Sequence, residues 1–242
     1  VGVSFDQGDV DIEAEGSTVD ANALAGIFGL AAEGNVYIDA GTTTVTNGSG
    51  VIGVALDGNV DIDLHRDSRD PSDPAYDPTI GNITANGLVG VAGVASGNVD
   101  IDLDERTISN TAGAGVIGVS FDEGDVDIEG EGSTVNAQTL VGVLGLATDG
   151  NVYIDSGSTT VINGSGVVGV AIDGNVDIDT HGQTTAGGTL GLVGVGGFAS
   201  GNVDIDLLGQ TVTNTTGIGV AGVSFDQGNV DIEAEGSTID SE

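Results

Sequence analysis

A six-residue segment, Gly-Asn-Val-Asp-Ile-Asp, recurs along the chain and constrains its fold more than any other feature. Copies and close variants lie at 8–13, 34–39, 58–63, 97–102, 124–129, 150–155, 174–179, 201–206 and 228–233. In each copy, here called an acid segment, two aliphatic residues alternate with Asn, Asp, Glu or Tyr. A β-strand directs successive side chains to opposite faces, so each acid segment predicts a short strand with one apolar and one charged face.

The spacing of the acid segments predicts how these strands are arranged. Their first aliphatic residues are Val10, Val36, Val60, Val99, Val126, Val152, Val176, Val203 and Val230, and most neighbours are 24 to 27 residues apart. A β-type repeat of about 26 residues is typical of a β-solenoid, whose coils stack at about 4.8 Å. We therefore predict an all-β fold, a right-handed, three-sided parallel β-helix of about nine coils.

Each period contains two further candidate strands, separated by Gly, Asn and Ser turn residues. One is an apolar stretch that contains glycine, and the other is Thr-rich and centred on an aliphatic residue, namely Val45, Ile108, Val135, Val161 or Val212. We expect one column of glycines to leave a flat, weakly apolar side that suits packing against a second solenoid: Gly26, Gly53, Gly90, Gly118, Gly142, Gly169, Gly194 and Gly222. We also expect the Asn residues of the acid segments to hydrogen-bond along the axis, in a line broken by Asp9 and Asp125.

A longer period overlies the short one. Residues 24–63 match residues 140–179, and residues 88–110 match residues 192–214, so four coils form a duplicated super-repeat. Residues 1–242 are interpreted as a single solenoid with two super-repeats and part of a third, expected to be a fragment of a longer array.

One segment departs from this repeat. Residues 65–78 contain all three prolines of the chain, and Pro cannot donate to a β-ladder, so this segment predicts a loop insertion between coils. Arg66, Arg69 and Tyr76 are candidate partner-contact residues there; alternatively, the arginines only pair with nearby carboxylates.

Charge and composition exclude several functions. The chain has 38 Asp and Glu residues against 3 Lys and Arg, a formal net charge of -35, which disfavours nucleic acid and anionic lipid as partners. It has no Cys, so disulfides and thiol chemistry are excluded. No apolar run approaches the ~20 residues that cross a bilayer, so no membrane insertion is expected.

Stacked acid segments predict two columns of outward acids. The first acid column contains Asp11, Tyr37, Asp61, Asp100, Asp127, Tyr153, Asp177, Asp204 and Asp231. The second acid column contains Glu13, Asp39, Asp63, Asp102, Glu129, Asp155, Asp179, Asp206 and Glu233. Carboxylates about 4.8 Å apart repel by on the order of 1 kcal/mol per pair in water.

Bulk salt, raised pKa values or bound divalent cations would each relieve this repulsion. Ca²⁺ is the predicted metal because it takes several oxygen ligands in flexible geometry. The candidate ligands are the paired acids of seven acid segments: Asp11, Glu13, Asp61, Asp63, Asp100, Asp102, Asp127, Glu129, Asp177, Asp179, Asp204, Asp206, Asp231 and Glu233. An acidic surface adapted to a salty medium is the alternative. No other cofactor is expected, and His65 and His181 are expected to lie in loops and form no cluster.

The run Gly-Ser-Thr-Thr-Val-Ile-Asn-Gly-Ser-Gly-Val-Val-Gly-Val at 157–170, followed by the acid segment at 174–179, resembles the passenger repeats of autotransporter and filamentous-haemagglutinin-type bacterial surface proteins. The resemblance spans the chain except the insertion. It implies a right-handed parallel β-helix, export, and a role as an adhesin, stalk or extracellular filament. Those repeats carry more Thr and Ser where this chain carries Asp.

These observations favour a non-enzymatic extracellular or cell-surface solenoid, stabilised by Ca²⁺ and associating with itself or with neighbouring solenoids. The alternatives are the stalk of an autotransporter-type adhesin that displays a distal binding domain, a glycan-active β-helix enzyme, and an ice-binding Thr face. The sequence indicates no specific host or surface glycan.

Overall fold

A computed structural model describes residues 1–64 and 80–242 and shows a stack of β-strand coils. The predicted insertion at 65–78, with Arg66, Arg69 and Tyr76, lies outside the described residues. The same is true of His65.

Three kinds of strand repeat in chain order. The acid strands are β2 (Val10–Glu13), β5 (Val36–Asp39), β8 (Val60–Asp63), β11 (Val99–Asp102), β16 (Val176–Thr180), β19 (Val203–Asp206) and β22 (Val230–Glu233). The aliphatic strands are β1 (Gly2–Gln7), β4 (Ala25–Glu33), β7 (Ser49–Ala55), β10 (Val89–Ala95), β13 (Ala114–Glu123), β18 (Val193–Ala199) and β21 (Ile218–Ser224). The Thr strands are β3 (Thr18–Ala21), β6 (Thr42–Val45), β9 (Ile83–Ala85), β12 (Thr107–Asn110), β17 (Thr184–Ala186), β20 (Thr211–Asn214) and β23 (Thr238–Ser241). In two coils the three kinds merge into the long strands β14 (Val126–Asp149) and β15 (Val152–Asp173).

Strands of one kind pair in parallel from coil to coil and form one 23-stranded sheet. In the acid strands Val60 pairs with Val99 and Val99 with Val126, so equivalent residues stack in register. The predicted all-β parallel β-solenoid, with about nine turns spaced about 26 residues apart, is confirmed. Its right-handed winding and three-sided cross-section stay predictions. Residues 1–64 and 80–242 contain no helix, and therefore no helix able to span a membrane.

Small aliphatic side chains fill the interior. The two aliphatic residues of the acid strands point inward, as Val36 and Ile38 do with exposures of 0% and 2%. Val51 and Ala55 reach the same core from an aliphatic strand. Their burial supplies the hydrophobic stabilisation of a coil that has few large side chains.

The glycines of the aliphatic strands do not behave as predicted. Gly53 pairs with Gly93 rather than with Gly90. The predicted column therefore combines glycines from two different columns of the structure, whose positions lie three residues apart along each strand. Both columns face the core: a Cβ on Gly53 would lie 2.8 Å from Val60 Cγ1, and one on Gly90 would lie 2.5 Å from Ile108 Cγ2. The glycines therefore admit core side chains from other strands, and they do not create a bare outer surface.

The Thr strands are also shifted from the predicted alignment in the two shorter coils. Val135 pairs with Thr159, and Ala137 pairs with Val161, because the corner from Asp155 to Ser158 is two residues shorter than the corner from Glu129 to Thr134. Threonine thereby enters the core at Thr43 and Thr159. Thr184, which pairs with Thr159 in the next coil, is buried as well, and all three are at most 1% exposed.

A ladder of Asn and Asp side chains joins neighbouring coils at one corner, as predicted. The Asn59 side-chain oxygen accepts the backbone N–H of Asn98 at 2.7 Å. Asp125 takes the same role and accepts the N–H of Asn151 at 2.6 Å, so the acids continue the ladder and do not break it.

Candidate cation-binding and assembly surfaces

The structure brings every predicted pair of acids into two in-register columns on the outer side of the acid strands. Asp61 pairs with Asp100 and Asp63 with Asp102, and the same register holds from coil to coil along the solenoid. Because strands in a sheet lie about 4.8 Å apart, each carboxylate has like-charged neighbours above and below it.

Burial and this crowding act together on the protonation of the acids. Partial burial, followed by the charges of Asp100 and Glu129, raises the pKa of Asp127 to about 6. Burial is also the main cause of the raised pKa values of Asp61, Asp100, Asp177 and Asp179, with nearby carboxylates adding to it. A bound cation would offset the Coulombic part of this effect.

Two acidic clefts lie where tyrosine interrupts the first acid column. One is lined by Asp11, Glu13, Tyr37, Ile38, Asp39, Asp61 and Asp63. The other is lined by Asp127, Glu129, Tyr153, Ile154, Asp155, Asp177 and Asp179. Each cleft gathers five carboxylates from three successive coils around one tyrosine, and tyrosine adds no negative charge at neutral pH. Oxygen ligands at this density suit Ca²⁺.

The aliphatic strands display a second outer surface. In each of these strands, no charged residue lies between the first and the last residue that point into the core. Ile27 and Ala31 point inward, so the residues between them at alternate positions, Phe28 and Leu30, point outward. The equivalents of Phe28 are Ile52, Ala92, Ile117, Leu144, Val168, Gly196 and Ala221. The equivalents of Leu30 are Val54, Val94, Val119, Leu146, Val170, Phe198 and Val223. We call this surface the aliphatic face.

Leucine and glycine alternate from coil to coil along one rim of the aliphatic face. The rim residues in coil order are Leu24, Gly48, Leu88, Gly113, Leu140, Gly164, Leu192 and Gly217. The exposures of the four leucines run from 55% to 84%. A leucine therefore projects at every second coil, about 9.6 Å from the next, with a glycine gap between them.

A mixed cluster lies beside the second acidic cleft. One ligand atom each from Glu131, Asp155 and His181 lies within 4.8 Å of the others. His181 Nδ1 is 2.8 Å from Asp155 Oδ1. The prediction that His181 takes part in no cluster is therefore wrong. The alignment of the acid segments contains the missed signal, because Glu131 and His181 each follow the second acid of their segment by two residues, in coils two apart.

Arg106 is buried, with an exposure of 3%. Its Nε donates to the Asp104 carbonyl at 2.7 Å, and its Nη1 donates to the Ile80 carbonyl at 2.9 Å. This side chain therefore ties backbone segments together at the coil that precedes the long strands.

No family model, curated protein or solved structure matches this chain. The resemblance to autotransporter and filamentous-haemagglutinin-type repeats stays a prediction.

Proposed function

We propose that this chain is a non-enzymatic, extracellular structural or adhesive solenoid that binds Ca²⁺ along its acid columns and assembles side by side through its aliphatic face. The observation that carries the proposal is the segregation of the outer surface. Carboxylates stack in register on the acid strands, and charge-free aliphatic side chains stack on the aliphatic strands. Every coil repeats this arrangement, which favours length and contact over a single reaction centre.

Calcium is the favoured ion because each acidic cleft combines five carboxylates, and because burial and neighbouring charges raise the pKa of Asp61 in the first cleft and the pKa values of Asp127, Asp177 and Asp179 in the second. An ion that binds the folded chain and not the unfolded chain stabilises the fold by mass action, by about 2.7 kcal/mol per site at a hundred times its dissociation constant. In this proposal calcium holds neighbouring coils together where their charges repel.

A second copy of this chain is the proposed occupant of the aliphatic face. Eight coils at about 4.8 Å and strands of about eight residues give a face of roughly 1,000 Å², above the roughly 800 Å² per partner of a standard interface. The leucine and glycine rim repeats every two coils, and a second solenoid has the same repeat. Its leucines can enter the glycine gaps of the first.

Thermal unfolding of the full chain in Ca²⁺, in Mg²⁺ and in chelator at matched ionic strength tests the calcium proposal. We expect Ca²⁺ to raise the Tm most. We expect the Asp127→Asn/Asp177→Asn variant to lose much of that gain, and we expect Asp20→Asn/Asp240→Asn, which removes the same charge away from the acid columns, to keep it. Equal gains from all salts, or equal losses in both variants, would show diffuse counterions.

Sedimentation velocity and electron microscopy in Ca²⁺ test the assembly. Leu140→Asp should abolish association through the aliphatic face. Ile162→Asp places the same charge at a residue that is 62% exposed outside that face, and it should leave association intact. A wild-type chain that stays monomeric at high concentration would contradict the assembly and leave calcium binding untouched.

The runner-up is the stalk of an autotransporter-type adhesin, which shares the solenoid and differs in displaying a distal binding domain. Electron microscopy distinguishes the two, because a stalk projects singly and a matrix protein lies in lateral arrays.

A further inference from the structure

The corner that follows the acid strands brings together residues that differ from the repeat around them. Gly130 pairs with Ser156, and Ser156 pairs with Thr180. The residues that follow these three are Glu131, Gly157 and His181. Glu131 and His181 approach each other from the coils on either side of the middle one.

Asp155 completes the group from the second acid column. Its carboxylate is hydrogen-bonded to His181 Nδ1 at 2.8 Å, and the ligand atoms of all three residues lie within 4.8 Å of one another. The side chains of His181 and Asp155 are 30% and 35% exposed, and Glu131 is exposed.

The chemistry of this donor set differs from that of the acidic clefts. An imidazole with two carboxylates suits Zn²⁺, which binds His nitrogen and Asp or Glu oxygen at about 2.0–2.2 Å and leaves a fourth position for water. Ca²⁺ prefers a larger number of oxygen ligands. Ligand atoms around zinc lie about 3.3 Å apart, so a small movement of Glu131 closes the site.

The sequence repeats the same three residue types in the other super-repeat. The chain contains two histidines, and His65 precedes His181 by the same 116 positions that separate Glu15 from Glu131 and Asp39 from Asp155. Both histidines of a chain that is poor in histidine thus occupy one position of the super-repeat, together with the same two acids. This recurrence is independent of the distances around His181.

We propose that Glu131, Asp155 and His181 form a Zn²⁺ site that joins three successive coils. The site is separate in chemistry from the calcium columns, although it shares Asp155 with the second of them. Zinc there links the corner at Ser156 and Gly157, which lies inside β15, to the coils on both sides.

Calorimetric titration with Zn²⁺, in the full chain and in excess Ca²⁺, tests this site. The His65→Gln variant serves as the background, so that one histidine remains. We expect it to bind one Zn²⁺, and we expect added His181→Gln or Glu131→Gln to weaken binding about tenfold or more, since even outer-shell partners change metal affinity about 10–100-fold. The ring resonances of His181 should shift on saturation with zinc.

Glu235→Gln is the matched control, because Glu235 has the corner position of Glu131 in another coil and is not part of the group around His181. It should leave zinc binding unchanged. Equal binding by the His65→Gln and His65→Gln/His181→Gln chains, or no zinc binding in excess Ca²⁺, would overturn the proposal. Calcium stabilisation of the same variants is measured separately, so the two proposals fail independently.

Discussion

The side-chain oxygen of Asn175 accepts a 2.8 Å hydrogen bond from the backbone N–H of Asn202, which belongs to the next coil. Asn175 also donates its own amide to Asn151 at 2.9 Å, on the other side. One side chain therefore bonds to the coils before and after it, and it adds to the backbone hydrogen bonds from Val152 N–H to the Asn175 carbonyl and from Val176 N–H to the Asn202 carbonyl.

Replacing Asn175 tests whether this ladder stabilises the stack. We expect Asn175→Ala to lower the free energy of unfolding by about 1 kcal/mol, because it removes solvent-exposed hydrogen bonds on both sides. Asn175→Asp should lower it less in Ca²⁺, because Asp125 accepts the equivalent bond in its own coil. Urea unfolding measures both variants, and equal losses would show that the acceptor oxygen is unimportant.

The pKa of Asp127 predicts a dependence of stability on pH. Burial and neighbouring carboxylates raise this pKa from 3.8 to about 6 in the folded chain. Between these pH values the folded chain holds a proton that the unfolded chain releases, so stability falls as the pH rises through this window. The Asp127→Asn variant should show a decrease in unfolding free energy over this pH window that is smaller than the wild-type decrease by about 1 kcal/mol. This magnitude is lower than the full pKa shift implies, because solvent screens the half-buried carboxyl.

Urea unfolding without Ca²⁺ at about pH 4.5 and pH 7 measures this effect. The Asp20→Asn variant controls for the loss of one negative charge away from the acid columns. If the stability of the Asp127→Asn variant changes with pH as much as that of the wild type, the prediction is wrong.

The glycines that face the core predict a third result. A Cβ on Gly145 would lie 2.5 Å from Val152 Cγ1 and 3.4 Å from Ile154 Cδ1. We expect Gly145→Ala to lower the free energy of unfolding by about 1–3 kcal/mol through overpacking. Gly8→Ala, where the nearest atom would be Ser4 Oγ at 3.4 Å, should change stability by less than about 0.5 kcal/mol. Similar losses in both would place the Gly145 side of the strand outside the core.

Two equivalent threonines make a matched pair for a fourth test. Thr159 is fully buried, and its hydroxyl has no hydrogen-bond partner. Thr43 occupies the same position in the first super-repeat and donates to the Gly41 carbonyl at 3.2 Å. We expect Thr159→Val to raise the free energy of unfolding by about 1 kcal/mol, because it removes the burial penalty of an unpaired hydroxyl. Thr43→Val should be neutral or destabilising; a similar effect of both would refute the distinction.

The sequence was sufficient to predict the architecture because one strong signal recurs in every coil. Alternation within the acid segment identified the inward Val and Ile and the outward acids, and its spacing identified the stacking. The pairing of Asp61 with Asp100 follows directly from this recurrence.

The remaining errors concern register in the strands that lack such a signal. Glycine and valine alternate so evenly in the aliphatic strands that a shift of three residues leaves a similar pattern, and Gly90 was aligned with Gly53 for that reason. The short corner before Ser158 displaced the Thr strand by two residues in the same way. The cluster around His181 was missed because its members lie one and two coils apart, where only the alignment of corners brings them together.

Parallel register also governs how a molecule of this kind changes in length. Among residues 1–64 and 80–242, the strands of each coil pair with those of the coils before and after it, as Val176 pairs with Val152 and Val203. Gaining or losing a whole super-repeat therefore changes the reach of the solenoid by about 19 Å and leaves every remaining contact intact. Recombination between near-identical gene segments would thus adjust the span in fixed increments without any new folding problem.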